Sequence, residues 1–453
     1  MTCIQNQPED FATTALAGFS SIYARHVRPV RSGVVRSTAT PEGKVAVVVG
    51  GGSGHYPAFA GFVGPGLADA AVAGDVFASP SAHGVAHVCR MAHRGGGILL
   101  GFGNYAGDVM NFGLAGERLT SEGIDVRILH VTDDVASAPA EKANERRGVA
   151  GDLAVFKIAG AAAEAGMKLD DVERVAIKAN KNTVSFGVAF SGCTLPGAKE
   201  PLFTVPAQRI GVGLGIHGEP GISEEDMMPA SALAKMLVDK LVKEKPADCK
   251  GRVAVILNGL GCTKYEELFV LWVGIEAQLK QAGLTLVQPE CGEYVTSLDM
   301  AGCSLTITWL DEELEKFWCA PADTPVLRRG AIIPTESAAP ISEACDEIRA
   351  FPSASAASKE NGKCIAGVLA KVAVALREAE PELGRIDARA GDGDHASTLA
   401  GDRQGDVSRV RAEVGGIGVH PLAGGGDAAD RPNFRDIAAY DRHFHRVEDS
   451  RRD

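Results

Sequence analysis

Apolar residues recur along the chain in two patterns. Short unbroken runs rich in β-branched side chains end in glycine, and longer stretches bring an apolar residue back every three or four positions. The first pattern predicts strands covered on both faces, the second amphipathic helices. Lys44–Val49, Gly95–Leu100 and Asp125–Val131 fit the strand pattern. Helices are predicted from Asp10 to Phe19, from Asp108 through Val109, Phe112 and Leu114, and from Arg147 to Gly166. Alternating strands and helices of this kind point to an α/β fold with mixed sheets.

The pattern changes near residue 185. Val188–Gly192 and Arg209–Gly215 are predicted strands, and Ser223–Asp226 has the Ser-x-x-Asp spacing of a capping box, which predicts a long helix from there to Lys243. Arg252–Gly261 and Ser304–Thr308 are further strands, and Tyr265–Ala282 and Asp311–Trp318 further helices. Two α/β lobes are expected, residues 1–184 and 185–330. Proline, alanine and serine crowd residues 331–358, a composition that buries little apolar area and predicts a linker. A helix over Gly362–Glu380 then opens a helical segment, residues 359–400. The tail, 401–453, is rich in Arg, Asp and Gly and is expected to be disordered.

Composition changes this picture little. The net charge of −12 argues against a general nucleic-acid binder. No apolar run approaches the roughly 18 residues of a membrane span, and the N-terminus lacks a signal-peptide pattern. The 10 cysteines have no CxxC spacing and suit reduced thiols. A cytoplasmic protein is expected. The 54 glycines are in excess, and they mark the chemistry.

In Ile210–Gly221 glycines alternate with apolar residues and then surround His217. Alternate loss of side chains lets something approach the backbone closely. An imidazole held there could act as base, metal ligand or nucleophile, or could be an ordinary core or capping histidine. Gly50-Gly-Gly-Ser53-Gly54-His55 follows a buried strand and is either a tight turn or a cradle of backbone N–H groups. It lacks the Gly-Lys-Ser/Thr of a P-loop and the spacing of a dinucleotide fingerprint. Asp108 is either a helix N-cap or a general base beyond the strand ends. Asp387, Asp392 and Asp394 form either a site for a hard cation such as Mg²⁺ or an acidic surface turn.

Taken in order, Gly50–His55, Gly61–Gly64, Val76–Ser81, Asn104–Phe112 and Gly215–Gly221 resemble the dihydroxyacetone kinase family across residues 10–330. The segment from Asp387 to His395 resembles the start of that family's all-helical ATP-binding half. The chain thus looks like the single-chain, ATP-dependent type: a two-lobed substrate region followed by the start of an all-α domain. The resemblance implies that His217 adds to the ketone of the substrate to form a hemiaminal. It implies that Asp108 accepts the proton of the attacking hydroxyl, that His55 binds substrate or assists the addition, and that Gly52 and Ser53 contribute contacts. It further implies that Asp387, Asp392 and Asp394 hold Mg²⁺ against ATP, with His395 beside the phosphates, and that the substrate half forms a homodimer.

The sequence departs from the family pattern in three places. Tyr56 and Phe59 stand where dihydroxyacetone-specific members usually carry Glu and His, and Gly103 stands where a lysine often precedes Asn-Tyr. A related ketose is therefore expected as an alternative substrate, erythrulose first. The chain also ends too soon after His395 for the rest of an ATP-binding half. The expectation is thus a kinase of dihydroxyacetone or erythrulose, or a ketose-binding protein without kinase activity of its own, the product of a truncated or frameshifted gene.

Overall fold

The computed structural model describes residues 4–330 and 355–387. These fall into two compact units, one within Met1–Thr335 and one within Glu336–Asp453.

The first unit holds a six-stranded and a seven-stranded sheet. The first sheet is built from β1 (Val27–Val30), β2 (Gly33–Arg36), β3 (Ala46–Ser53), β4 (Ala70–Val76), β5 (Ile98–Gly103) and β6 (Val126–Val131). Their order is β1-β2-β4-β3-β5-β6, parallel from β4 through β3 and β5 to β6, with the β1–β2 hairpin antiparallel at one edge. Strand β3 shows why its run lacks polar alternation. Ala46 and Val48 pack into one core with α2 (Ala82–Ala92) and α3 (Ala106–Ser121), while Val47 and Val49 enter a second core on the opposite face. Side chains alternate across a strand, so a sheet covered on both faces needs apolar residues at every position.

The second sheet contains β7 (Thr183–Ala189), β8 (Arg209–Val212), β9 (Ser223–Asp226), β10 (Arg252–Gly259), β11 (Thr285–Leu286), β12 (Glu290–Gly292) and β13 (Gly302–Trp309). Strand β13 lies between β10 and β7, antiparallel to both. Helices α6 (Ala230–Val242) and α7 (Tyr265–Gln281) cover one face. The other face shares its core with the first sheet. Ala254 and Ile256 of β10 join Val47 and Val49 of β3 in a single cluster filled by α4 (Gly151–Glu164), α5 (Leu169–Lys181) and α8 (Glu312–Cys319). Helix α4 is buried from Gly151 to Ala163, which explains its weak periodicity: a helix enclosed on all sides keeps no polar stripe.

The α/β class with mixed sheets is borne out. The N-terminal helix is α1 (Phe11–Ile22). Three local expectations need correction. Ser223–Asp226 is not a helix start but the exposed edge strand β9, paired with β8. Arg209 of β8 forms ion pairs with Glu224 and Asp226, so the acidic residues match a cation across the strands. Helix α6 begins only after Pro229, whose ring presets the entry to the first turn. Asp108 is not the N-cap of α3, a position held by Tyr105; it sits inside the first turn. The second unit's helix, α9 (Ala356–Asp387), begins inside the stretch expected to be linker and runs past Glu380. Asp392, Asp394, His395 and the 401–453 tail lie outside the described residues. Among the described residues no helix is long and apolar enough to cross a membrane.

Candidate active site

A small cleft opens where the ends of β3 and β5 meet the loop joining β8 to β9. It is lined by Gly50, Gly51 and Gly52 in the last part of β3, Gly103 at the end of β5, and the side chains of His55, Tyr105, Asp108, Asp152 and His217. Its room is about 20 Å³, enough for one water-sized group. A larger, mostly apolar cleft of about 340 Å³ lies alongside, walled by Phe11, Ala15 and Phe19 of α1 with Ser53 and Tyr56.

His217 sits in the turn between β8 and β9, where Gly218 takes a positive φ of 84° that a side chain would strain. Glu219 grips it twice. The His217 backbone N–H donates to Glu219 Oε2 at 3.0 Å, and its Nδ1–H donates to Oε1 at 2.9 Å. Burial pushes the Glu219 carboxyl up, but the hydrogen bond and charge of His217 outweigh it and hold the group at about 2. Behind Glu219 stands Arg147, with Nη1 at 3.9 Å from its carboxylate; Arg147 is anchored in turn by Asp134 at 2.7 Å. What approaches the glycine-alternating backbone is therefore the protein itself. A Cβ on Gly215 would fall 2.0 Å from Glu219 Oε2 and 2.6 Å from Arg147 Nη1.

His55 approaches from the first sheet. It is only 2% exposed, and its Nδ1–H donates to the carbonyl of Thr296 at 2.7 Å. Its Nε2 lies 3.0 Å from His217 Nε2. Burial, reinforced by the charge of His217, lowers the His55 pKa to about 3, so the ring is neutral near neutral pH. The outer nitrogens of both rings are committed as donors, to a carbonyl and to a carboxylate. The contact between the two Nε2 atoms thus holds one shared proton. Phe77 stacks on His55 at 4.9 Å, and the His217 ring meets Phe77 and Tyr105 edge to face at 5.0 and 4.8 Å.

Asp108 is buried and its Oδ1 has no hydrogen-bond partner. Burial raises its pKa, against a hydrogen bond from Ser79 and the charge of His217. A carboxylate so placed is a stronger base than one in water. His55, Asp108, His217 and Gly52 therefore meet in one cleft. Ser53 lines the neighbouring cleft instead, and its hydroxyl donates to the carbonyl of Gly74 at 2.7 Å. Among the described residues no cluster of three or more His, Cys, Asp or Glu side chains could hold a metal ion; Asp387 ends α9 in the second unit.

Glu219, Arg147, Asp134, Asp152 and Tyr105 escaped the sequence reading. Glu219 left a signal, since a carboxylate two residues beyond a histidine in a Gly/Pro turn can fold back onto its ring. Arg147 and Asp134 left none, because their role depends on the packing of the two sheets.

A family model described as the Dak1 domain matches residues 17–326. The chain is 54% identical to the L-erythrulose 1-kinase of Mycolicibacterium smegmatis, over 91% of this chain and 73% of that protein. It is 40% identical to the dihydroxyacetone-binding subunit of a PTS-dependent dihydroxyacetone kinase of Listeria innocua, over 69% of this chain and 95% of that one. Among solved structures, the dihydroxyacetone kinase from C. freundii in complex with AMP-PNP and Mg²⁺ superposes with a TM-score of 0.67 at 34% identity, covering 91% of this chain and 75% of that one.

Proposed function

The chain belongs to the dihydroxyacetone kinase family, and on that footing we propose that it is a kinase of short-chain ketoses, dihydroxyacetone or erythrulose, that holds its substrate as a hemiaminal on His217. The observation that carries this reading is the His55–His217–Glu219 chain of hydrogen bonds.

Capture balances without any outside reagent. Before capture the Nδ1–H of His217 lies on Glu219, and one further proton is shared between its Nε2 and that of His55. As a ketone replaces that contact, the Nε2 proton passes by way of His55 to the carbonyl oxygen, which becomes a hydroxyl. The freed Nε2 lone pair then bonds the carbonyl carbon. The product is an N-alkylated imidazolium with the same charge, still paired with Glu219. A polyol without a carbonyl cannot follow this route, so capture selects ketoses from alcohols.

Asp108 is the base for transfer: it takes the proton from the ketose hydroxyl as that oxygen attacks phosphorus. Its orphan Oδ1 and raised pKa suit this task. ATP with Mg²⁺ supplies the phosphoryl group and its charge neutralisation, and the solved relative with AMP-PNP and Mg²⁺ supports that assignment. Asp387, Asp392, Asp394 and His395 are proposed to hold them. For the substrate, identity to an erythrulose kinase favours the tetrose. The homodimer implied by the family has a candidate contact face in Tyr265, Phe269 and Val273, exposed along one side of α7.

A second reading, capture without transfer, is favoured by the match to a free-standing dihydroxyacetone-binding subunit. ADP release with ATP, Mg²⁺ and either dihydroxyacetone or each erythrulose enantiomer separates the two. Turnover by the purified chain supports the kinase; bound ketose without ADP supports the second reading. Asp108→Asn should keep capture and lower turnover about 100-fold or more, and unchanged turnover removes Asp108 from the mechanism.

A further inference from the structure

One carboxyl in the cleft has no part in capture or transfer. Asp152 is the second residue of α4, is 2% exposed, and lines the same small cleft as His55, Asp108 and His217. Its Oδ1 has no hydrogen-bond partner. An acidic side chain in the first turn of a helix is ordinarily satisfied by the free N–H groups there. Here those donors are taken: the N–H of Gly151 donates to Asp133 at 2.8 Å, and the N–H groups of Asp152 and Leu153 donate to the carbonyls of Val149 and Ala150.

We propose that Asp152 is a second substrate-binding group, one that hydrogen-bonds a ketose hydroxyl other than the one phosphorylated. This rests on the ketose reading given above. A buried carboxyl oxygen without a partner is costly, and a fold that needed Asp152 for stability alone would have satisfied it. A cation is not the missing partner, since no metal-binding cluster forms among the described residues. A hydroxyl group is small, both donates and accepts, and fits the scale of the cleft.

The protonation state sharpens the role. Burial, then the nearby Asp133 and Asp108, raise the Asp152 pKa well above its ordinary value, which favours the acid form. In that form it can donate to a hydroxyl oxygen through O–H while its other oxygen accepts. Asp108 remains the base, and the two carboxyls divide the work of binding and proton removal.

The test uses calorimetric titration of the purified full chain with dihydroxyacetone and with hydroxyacetone, which keeps the ketone and one hydroxyl but lacks the other. The wild-type chain should bind dihydroxyacetone the more tightly, by about tenfold. Asp152→Ala should collapse that gap whichever way hydroxyacetone sits, because only one hydroxyl-binding carboxyl is left. Asp152→Asn, neutral and still a donor, should restore it to within about threefold. An unchanged gap in Asp152→Ala overturns the proposal, as does an Asn variant no better than Ala, which would mean an ionised group. A thermal melt of each variant identifies loss of fold: if Asp152→Ala unfolds while Asp152→Asn is folded and shows no gap, the role is structural and the proposal fails. A wild-type chain that binds neither ketose overturns the capture reading itself, an outcome distinct from all of these.

Discussion

The two sheets each bring one histidine to the cleft, and the histidines are held in opposite ways. His55 follows β3 of the first sheet, is fully enclosed, and has its outer nitrogen on a backbone carbonyl. His217 stands in the β8–β9 loop of the second sheet, its side chain 23% exposed, with its outer nitrogen on a carboxylate. Their rings meet edge to face at 4.8 Å. The same side chain thus receives two characters from what its far nitrogen touches. A carbonyl and burial make His55 neutral; a carboxylate supports positive charge on His217 and so supports the adduct that keeps it. The first sheet supplies a fixed neutral partner, and the second supplies the reactive one on its carboxylate.

The largest effect should come from removing the reactive member. His217→Ala should abolish the adduct while leaving the two cores intact, and crystals soaked with dihydroxyacetone should show at most a hydrogen-bonded ligand. His55→Asn, which can still donate to Thr296, should keep the covalent link and slow its formation about 100-fold. Continuous density between ketose and protein in the Ala variant, or none in the Asn variant, would break the division between the two sheets.

An intermediate effect should follow from changing only the character of His217. Glu219→Gln keeps an acceptor for Nδ1–H but removes the charge, and capture should weaken about tenfold. Gly215→Ala leaves both charges in the chain but puts a methyl group where Glu219 and Arg147 meet. It should displace the carboxylate and weaken capture at least as much. Binding titrations of both variants check this, and unchanged affinity in both would mean that the carboxylate is a bystander.

Much of this contrast was legible in the sequence. The runs at Ala46–Val49 and Ile98–Leu100 announce strands covered on both faces, and His55 and His217 stand in glycine-rich turns at strand ends, with Asp108 in the first turn of the helix after β5, where the cleft lies. Two kinds of feature were hidden. Strand β9 was obscured because Ser223-Glu-Glu-Asp226 is locally a good helix start, and only its pairing with Arg209 across the sheet overrides that preference. The carboxylates that set the electrostatics were hidden because their meaning is tertiary. Asp152 reads in the sequence as an ordinary first-turn acid, and becomes unusual only because Asp133, just beyond β6, and the backbone carbonyls of Val149 and Ala150 have taken the donors it would have used.

The last effect expected falls on stability rather than on capture, and it tests whether His55 is neutral in the folded chain. An unfolded histidine titrates near 6.5, and the folded His55 near 3. Between those values the unfolded chain binds a proton that the folded chain refuses, so stability falls as pH drops through that window. Glu219 adds a loss of the same sign further down, below its ordinary 4.5 and towards about 2. Asp133 acts the other way. Burial raises it from 3.8 to about 6, so the folded chain binds the extra proton between those values and gains stability on acidification. The total curve therefore mixes signs, and the difference between wild type and His55→Asn isolates the histidine. From pH 6.5 down to 4.5, above the Glu219 range, the wild type should lose up to about 1.4 kcal/mol per pH unit relative to the variant. Thermal midpoints measured across that range should converge or cross as acid is added. Parallel curves would mean that His55 takes up its proton in the fold as readily as in the unfolded chain, and the neutral partner of His217 would have to be sought elsewhere.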